Sequence, residues 1–348
     1  MKKIGVVLFL FVFLFGAVAF AEAATTSGTF KLAHSESETE DIIATPYTVL
    51  TGLFKDIVEA ETGGRFKIEV FPAKQLGDST EVMDQAARGI IQLTTSQNAG
   101  HLASLYPAVQ MVEIPYAFRN VEVARDVLNG EYGDKFADKM AEKTGLRILA
   151  WVPTAYRNFA NNVKEIHKPE DLKGMKIRVM PAPMYIEMIK AFGASPTPIN
   201  WGELYTALQT GVVEGHEQPP YVMLLGGMTE VTKYYTVDQH TINAFAFSIN
   251  EKVWQSLTPE DQHIFKYAAR EAGLAMAGLI RAKELLDMKR IEDAGVKITY
   301  LSGAEVQAFK DIAQPAVLNE LKKSLDPSEV DEFLEAVKAS EKKLGWSE

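Results

Sequence analysis

Cysteine is absent from the sequence. None of the 348 residues is a cysteine, which excludes disulfide bonds, cysteine metal sites and thiol chemistry. The fold must therefore be stabilised by hydrophobic cores, and an apolar content of 47% is sufficient for folded domains rather than disorder. At roughly 150 residues per domain, the length predicts about two domains.

Basic residues are in the minority. The chain has 36 Lys and Arg against 46 Asp and Glu, and its formal net charge is -10. An acidic protein of this kind has little general attraction for nucleic acid or for an anionic membrane surface. We therefore expect no nucleic-acid partner, and any bound anion must be held by local positive charge.

The common catalytic signatures are also missing. The sequence has no HExxH, GxSxG, GxxxxGKS or GxGxxG pattern, so the usual signals for zinc proteases, serine hydrolases, P-loops and dinucleotide sites are absent. Glu36, Glu38, Glu40 and Asp41 form an acidic cluster, but it lacks the glycine of a Ca²⁺ loop, which favours a solvated loop or helix entry. We expect neither a metal nor a cofactor.

Only one long hydrophobic run is present, at the N-terminus. Lys2 and Lys3 precede an apolar stretch over 4–20, and Ala19-Phe20-Ala21 places small residues where signal peptidase reads. This pattern predicts a cleavable signal peptide over 1–23, cut after Ala21 or Ala23, and export to the periplasm. The run is near the minimum length of a membrane span, so an uncleaved anchor is the alternative.

The rest of the chain alternates strand and helix patterns. Strands are predicted around 30–34, 65–72 and 91–97, separated by helices over 47–61 and 80–88. This βαβαβ order predicts a parallel sheet with right-handed crossovers and a ligand site beyond the carboxyl ends of its strands. A helix over residues 121–144 and a strand RILAWV follow.

One stretch, residues 173–220, places a cation at a strand end. In KIRVMP, apolar residues alternate with Lys176 and Arg178, which predicts a strand that points Arg178 away from the core. A helix is predicted next over 183–192.

A second helix, predicted over 201–209, has a capping-box pattern at its start. Asn200 precedes Glu203 by three residues, which favours a structural cap for Glu203 over a catalytic acid. The strand GVVEG is expected to follow.

A strong helix start at Thr258-Pro259 opens a much longer pattern. It continues for roughly 35 residues, or ~50 Å, which is longer than one domain needs and predicts a helix that crosses between lobes. Gly273 and Gly278 are either bend points or sites of close packing. Two further helices are predicted after it, broken at Pro327.

Seven segments together carry a resemblance to a known family: the leader, GGRFKIEVFPAKQLGDSTEVMDQAARG, EIPYAFRN, AYRNF, LKGMKIRVMPAPMY, GASPTPINWGELYTALQTGVVEGHEQPP and SINEKVWQSLTPEDQ. The chain resembles the extracytoplasmic solute-binding proteins of tripartite ATP-independent periplasmic (TRAP) transporters, DctP type. The resemblance implies a two-lobed α/β fold of the periplasmic-binding-protein type II kind. Each lobe would be a mixed, mostly parallel sheet flanked by helices, with one long helix spanning both lobes.

The lobes are expected to be discontinuous in sequence. Lobe I is predicted over 24–153 and about 243–280, because the apolar run AFAFSI is expected to return to it. Lobe II is predicted over about 154–242 and 281–348.

The resemblance also implies which residues of lobe II bind the ligand. Arg178 would pair with a carboxylate, since a guanidinium fork makes two parallel hydrogen bonds that lysine cannot copy. Arg157 would contact the same acid. A surface salt bridge is the alternative for both. Gln218 stands where the family usually has asparagine, so it keeps the amide but changes its reach, which allows a shifted or different ligand.

The remaining implied site residues are an aromatic and four polar side chains. Trp201 occupies a pocket position in the family, with a hydrophobic role at a helix start as the alternative. In lobe I, His34, Gln97 and Asn98 lie at strand ends that face the cleft in the family, and Ser79 follows a nearby turn. For His34 a structural role is equally compatible.

The resemblance implies a binding protein that captures an organic acid anion and delivers it to TRAP membrane subunits without turnover, and we expect it to be a monomer. The acid would be a dicarboxylate, a sugar acid or a related carboxylate, held when the lobes close by a hinge motion. Two alternatives stay open. One is a periplasmic lyase or hydrolase using His34 and a carboxylate such as Glu217. The other is a binding protein for an ABC importer or a sensor kinase.

Overall fold

A computed structural model describes residues 25–346 of the chain. The signal peptide predicted over 1–23 lies outside the described residues. Within the described range, no helix has both the length and the apolar character that a membrane span requires.

Strands and helices alternate along the described chain, and many of the bounds agree with the predicted ones. Short 3₁₀ helices cover Pro107–Glu113, Pro169–Leu172, Trp201–Glu203 and Met228–Val231. The strands are β1 Gly28–Ala33, β2 Phe66–Phe71, β3 Leu93–Asn98, β4 Leu146–Asn161, β5 Lys176–Val179, β6 Ser195–Pro198, β7 Gly215–Gln218, β8 Tyr234–Asn250 and β9 Lys297–Tyr300. The α-helices are α1 Tyr47–Glu61, α2 Ser79–Arg88, α3 Ala99–Leu102, α4 Val121–Leu128, α5 Glu131–Thr144, α6 Pro183–Ala191, α7 Leu204–Gln209, α8 Pro220–Leu225, α9 Glu251–Ser256, α10 Pro259–Asp293, α11 Gly303–Ser324 and α12 Pro327–Lys343.

The strands form one mixed sheet in the order β2-β1-β3-β8-β4-β7-β5-β6, with β9 added beside β8. At one end β1 pairs in parallel with β2 and β3, and at the other end β5 pairs in parallel with β6 and β7. The antiparallel pair of β4 and β8 joins the two parallel groups. The predicted two-lobed α/β architecture with a mixed sheet flanked by helices is confirmed.

The joining strands β4 and β8 are much longer than expected, at 16 and 17 residues. The sequence predicted only RILAWV and AFAFSI as strands. In the structure β4 continues through Pro153, because the pairing register shifts between Pro153 and Ala155 and a bulge tolerates the missing N–H. Both strands therefore pass from one parallel group to the other.

The single helix predicted over 121–144 is wrong, because α4 ends at Leu128 and α5 begins at Glu131. Asn129 lies between them and its side chain is bonded to the backbone of Trp151 on β4. Its Nδ2 donates to the Trp151 carbonyl at 2.8 Å and its Oδ1 accepts from the Trp151 N–H at 2.9 Å. These two hydrogen bonds hold the break between α4 and α5 against strand β4.

The long helix α10 has the predicted length of 35 residues and begins after Thr258, whose side chain accepts a bond from the Asp261 N–H. A β-carbon on Gly273 would lie only 2.8 Å from Cγ2 of Val152 on β4, so this glycine serves close packing. Gly278 faces open space.

Helix α10 also connects two hydrophobic clusters, as the sequence predicted for a helix that crosses between lobes. Met276 belongs to the cluster that contains Phe54 of α1. Ile291, near the other end of the helix, belongs to the cluster that contains Tyr235 of β8.

The capping box predicted at Asn200 and Glu203 is wrong. The side chain of Asn200 makes no capping hydrogen bond, and Trp201–Glu203 form a 3₁₀ turn before α7 begins at Leu204. The tight turn replaces the expected first turn of α-helix. The following strand, β7, begins at Gly215 rather than earlier in GVVEG.

The two C-terminal helices pack on helices that were predicted in different lobes. Helix α11 packs on α6, whereas α12 packs on α4. Ser340 Oγ of α12 donates to Asp126 Oδ2 at 2.9 Å, and Lys343 Nζ donates to Asp126 Oδ1 at 2.5 Å. The last helix, predicted as part of lobe II, thus contacts a helix in the range predicted for lobe I.

Candidate functional site

A cavity of about 470 Å³ lies between the two groups of parallel strands. One wall comes from the loop after β1, the starts of α1 and α2, the end of β3, and α3. The other comes from the ends of β5 and β7 and from residues 200–203. The cavity therefore lies at the carboxyl ends of the strands, as their order predicted, and its volume suits a small organic molecule.

Arg178 lines this cavity from the end of β5 and is only 1% exposed. Its Nε donates to the Ile199 carbonyl at 2.8 Å, but Nη1 has no hydrogen-bond partner. Within residues 25–346 no carboxylate lies within ion-pair distance of Arg178. Burial lowers the pKa of Arg178 to about 10, with Glu217 and Arg157 acting on it in opposite directions. The sequence predicted that Arg178 points away from the core. In the structure its guanidinium is buried in the cavity wall, where it can pair with an anion.

Arg157 also lines the cavity, but its guanidinium is engaged by the protein. Its Nε donates to Glu217 Oε2, and its Nη2 donates to Glu217 Oε1 at 2.8 Å. Nη1 donates to Asn243 Oδ1 at 3.1 Å. Burial opposes the charge of Arg157, but Glu217, Tyr185 and Glu113 together outweigh burial and raise the pKa of Arg157 above its usual value. The ion pair neutralises most of the charge that Arg157 could offer a ligand.

A buried polar cluster supports this ion pair and was missed by the sequence reasoning. His240 Nδ1 lies 2.9 Å from Asp238 Oδ2, and Nε2 lies 3.5 Å from Glu217 Oε2. Burial opposes protonation of His240, but Asp238 and Glu217 together raise its pKa to about 9. Burial likewise opposes ionisation of Glu217, yet Arg157 and His240 hold its pKa at about 2. The polar run Asp238-Gln239-His240 within the apolar β8 was the available signal.

Gln218 and Trp201 both lie at the cavity, where they were predicted. Gln218 is 4% exposed at the end of β7, and within the described chain its side-chain amide makes no hydrogen bond. Trp201 is half-buried, and its ring leaves no room for a side chain at Gly226, where a β-carbon would lie 2.6 Å from Cη2 of the indole. The Trp201 ring therefore packs directly on the backbone at the end of α8.

Asn98 and Ser79 line the cavity from the other side. Asn98 Nδ2 donates to Met180 Sδ at 3.2 Å, a contact between the end of β3 and the segment after β5. Its Oδ1 lies 2.8 Å from His101 Nδ1. Ser79 Oγ lies 2.6 Å from Ser35 Oγ. In this structure the two walls are in direct contact.

Gln97 and His34, expected to face the cleft, lie behind its wall and do not line the cavity. The register of β3 shifts between Thr94 and Gln97, which turns the Gln97 amide toward the Thr94 hydroxyl at 3.1 Å. His34 Nε2 lies 2.7 Å from Glu38 Oε1, and its ring stacks on Tyr47. Both side chains thus make internal contacts, although His34 Nδ1 has no hydrogen-bond partner.

Many residues of the cavity wall were not identified from the sequence, and Glu36 and Tyr47 are two examples. Glu36, assigned to a solvated loop, is half-buried in the cavity wall, and burial raises its pKa. Tyr47, read only as the first residue of a helix, is 2% exposed, and its hydroxyl has no hydrogen-bond partner. Periodicity could assign Tyr47 to a buried face but could not indicate that this face borders a cavity.

The residues of the enzyme alternative are not brought together at the cavity. Glu217 is bonded to Arg157, and neither Glu217 nor His34 is part of the wall. No group of three or more His, Asp or Glu side chains among residues 25–346 is arranged to hold a metal ion. A cavity between two lobes, with the buried cation of Arg178 in its wall and no carboxylate paired to it among the described residues, is typical of a two-lobed solute-binding protein.

Comparison with known proteins agrees with this class. The chain belongs to the family described as bacterial extracellular solute-binding protein, family 7, whose profile matches residues 43–324. Solved structures similar to it are periplasmic solute-binding proteins of TRAP transporters, so the resemblance stated from the sequence is confirmed.

Three relatives illustrate the similarity. The 2,3-diketo-L-gulonate-binding periplasmic protein YiaO of Escherichia coli K12 is 27% identical, over 86% of this chain and 88% of that protein. The ectoine-binding periplasmic protein TeaA of Halomonas elongata is 30% identical, over 83% and 84%. A TRAP solute-binding protein of Sulfitobacter sp. NAS-14.1, solved with β-D-galacturonate, is 28% identical with a TM-score of 0.79, over 90% of this chain and 100% of that one.

Proposed function

We propose that the protein captures an organic acid anion outside the cytoplasmic membrane and delivers it to the membrane subunits of a TRAP transporter. The observation that carries this proposal is the buried guanidinium of Arg178, which lines the cavity with Nη1 unpartnered. An uncompensated buried charge is unfavourable, and a ligand carboxylate offers both the opposite charge and the hydrogen-bond acceptors.

The other wall residues are proposed to orient the acid. Gln218 has an amide available for hydrogen bonding, Trp201 offers an apolar face, and Asn98 and Ser79 add polar groups from lobe I. Arg157 would contribute mainly through the second hydrogen of Nη1, because the first is donated to Asn243 and the other nitrogens are bonded to Glu217. Relatives that bind 2,3-diketo-L-gulonate or galacturonate support a carboxylate-bearing ligand.

Export by a cleavable signal peptide over 1–23, periplasmic location and action as a monomer belong to the same proposal. So do the lobe boundaries and a hinge motion that opens the cavity. The ligand would shift the equilibrium toward the closed form by binding it more tightly than the open form.

A thermal-shift screen over an organic-acid library tests the binding role. We expect at least one acid to raise the melting temperature in a concentration-dependent way, and Arg178→Ala to abolish the shift. The acid should be recovered chemically unchanged after incubation with the protein. Stabilisation that persists in Arg178→Ala would contradict the assigned site, and conversion of the acid to a product would contradict a non-enzymatic role.

Delivery is tested with membrane subunits in proteoliposomes. Uptake of the identified acid should require both the TRAP subunits and this protein. Uptake that instead requires ATP and an ABC importer would contradict the proposed partner.

A further inference from the structure

Helix α10 has several large apolar side chains exposed on its outer surface. Leu285 is 83% exposed and Leu286 58%, while Tyr267 and Leu274 are 47% and 46% exposed. A single exposed leucine is normal in a soluble protein, but several on one helix mark a surface that contacts a partner. These four residues do not line the cavity, so the surface is separate from the ligand site.

Six exposed residues of α10 form one continuous ridge with the spacing of a helix–helix seam. They follow one another in steps of four, three, four, three and four residues, and this average of about 3.5 is the repeat along which two packed helices stay in contact. At a rise of about 1.5 Å per residue, the ridge is roughly 27 Å long. This α10 ridge consists of Tyr267, Glu271, Leu274, Gly278, Arg281 and Leu285.

The charges of the α10 ridge are complementary to those of a second copy. When two copies pack antiparallel about a two-fold axis at the level of Met276, each residue faces the one equally far on the other side of the axis. Glu271 then faces Arg281 of the second copy. Glu271 makes no ion pair within residues 25–346, and the Arg281 side chain, bonded to Glu284 at 2.9 Å, is still 67% exposed. A parallel pair would place Glu271 against Glu271, which is repulsive.

The apolar residues of the α10 ridge fit the same antiparallel arrangement. Leu274 of one copy lies opposite Gly278 of the other, which faces open space and leaves room for the leucine. Tyr267 lies opposite Leu285, so each end of the seam packs an aliphatic side chain against a ring. One register therefore pairs all six residues of the ridge favourably.

We propose that the α10 ridge is a homodimer interface, in which two copies of α10 pack antiparallel about a two-fold axis at Met276. The inference goes beyond the proposed function. Within residues 25–346 the cavity is lined by residues of a single chain, none of them on α10, so each copy remains the monomeric binding unit of that proposal. The two charged residues of the ridge lose part of their hydration in the seam, so we expect a weak dimer with a Kd on the order of micromolar.

Sedimentation equilibrium between about 5 and 200 µM protein tests the association. We expect the wild-type chain to shift from monomer to dimer over this range. Leu285→Glu should raise the dimer Kd about 10-fold or more, because it places a charge against Tyr267 at each end of the seam. Ile90→Glu is the matched control, at an apolar residue that is 62% exposed but lies outside α10, and should leave the Kd unchanged.

Exchange of the two charges tests the register. Glu271→Arg and Arg281→Glu should each dissociate the dimer, since like charges then face each other across the seam. The double variant restores opposite charges and should return the Kd to within a few-fold of the wild type. Because both residues are exposed, all three variants should keep the wild-type circular dichroism spectrum.

The outcomes distinguish this inference from the proposed function. A chain that stays monomeric up to about 200 µM would overturn the interface. So would a dimer that persists in Leu285→Glu, or a double charge variant that associates no better than the single ones. The thermal shift of Leu285→Glu with the acid should equal that of the wild type. Failure of every acid to bind would count against the proposed function and leave the interface standing.

Discussion

Arg157 and Glu217 form a bidentate ion pair inside the protein, across the antiparallel strands β4 and β7. Both side chains are almost completely buried, and a further bond joins Arg157 Nη2 to the Glu217 carbonyl at 2.9 Å. Arg178 lies on β5, the next strand beyond β7, and has no such partner among the described residues. The two arginines therefore differ in what they can offer: the charge of one is compensated internally, and that of the other is available to a ligand.

Replacement of Arg178 by lysine should weaken binding of the acid by roughly 2–5 kcal/mol, about 30-fold or more, because the two parallel hydrogen bonds of the guanidinium are lost. Titration calorimetry measures the change. Arg88→Lys, at an exposed arginine at the end of α2, is the matched control and should leave the Kd unchanged. An equal Kd for wild type and Arg178→Lys would refute the role of Arg178.

Replacement of Glu217 by glutamine should destabilise the fold by about 3–5 kcal/mol, because it leaves the guanidinium of Arg157 buried without its counter-ion. Urea denaturation without ligand measures this loss. Glu187→Gln, which breaks a surface pair with Lys190, should cost no more than about 1 kcal/mol. Similar losses in the two variants would argue against a structural role for the buried pair.

Stability should fall as the pH rises from about 6.5 to about 9, through the deprotonation of His240. Its folded-state pKa of about 9 is above the ordinary value near 6.5, so the protonated ring stabilises the fold fully below pH 6.5. That contribution is lost as the pH rises through the folded-state pKa. Free energies of unfolding measured across this window should show the decrease.

His240→Gln should lack this component of the pH dependence, whereas His263→Gln at an exposed position should retain it. If His240→Gln kept the full slope, another group would have to be responsible.

The two glycines of α10 should respond to alanine in opposite directions. Gly273→Ala should destabilise by roughly 1–3 kcal/mol, since its β-carbon would overlap Val152 in a packed core. Gly278→Ala should stabilise by about 0.5–1 kcal/mol, because the site is open and alanine is the better helix former. Thermal unfolding of both variants checks the pair, and equal shifts would contradict the packing role of Gly273.

The elements with strong local signals were predictable from the sequence. Helix α1 has the predicted bounds, and α10 begins after the predicted cap at Thr258 and has the predicted length. The βαβαβ order also placed the cavity at the correct strand ends. These features depend on hydrophobic period, caps and breakers, which act within a few turns of chain.

Other features depend on contacts between distant segments and could not be read from local patterns. The predicted strand RILAWV stops at Val152, but pairing with β8 carries β4 on through Pro153 to Asn161. Arg157 and Gln97 were both predicted at the ligand, yet Glu217 and Thr94 engage their side chains. A sequence pattern can assign a polar residue to a strand end without showing which neighbour binds it.

The contact between α12 and α4 has a consequence for how the chain folds. Ser340 and Asp126 are 214 residues apart in sequence, so the face of α4 that α12 covers stays exposed until α12 has packed against it. Contacts of such long range form slowly, because the intervening chain must first be ordered. Helix α4 is therefore expected to complete its surface late in folding, after the segments between α4 and α12 have been ordered.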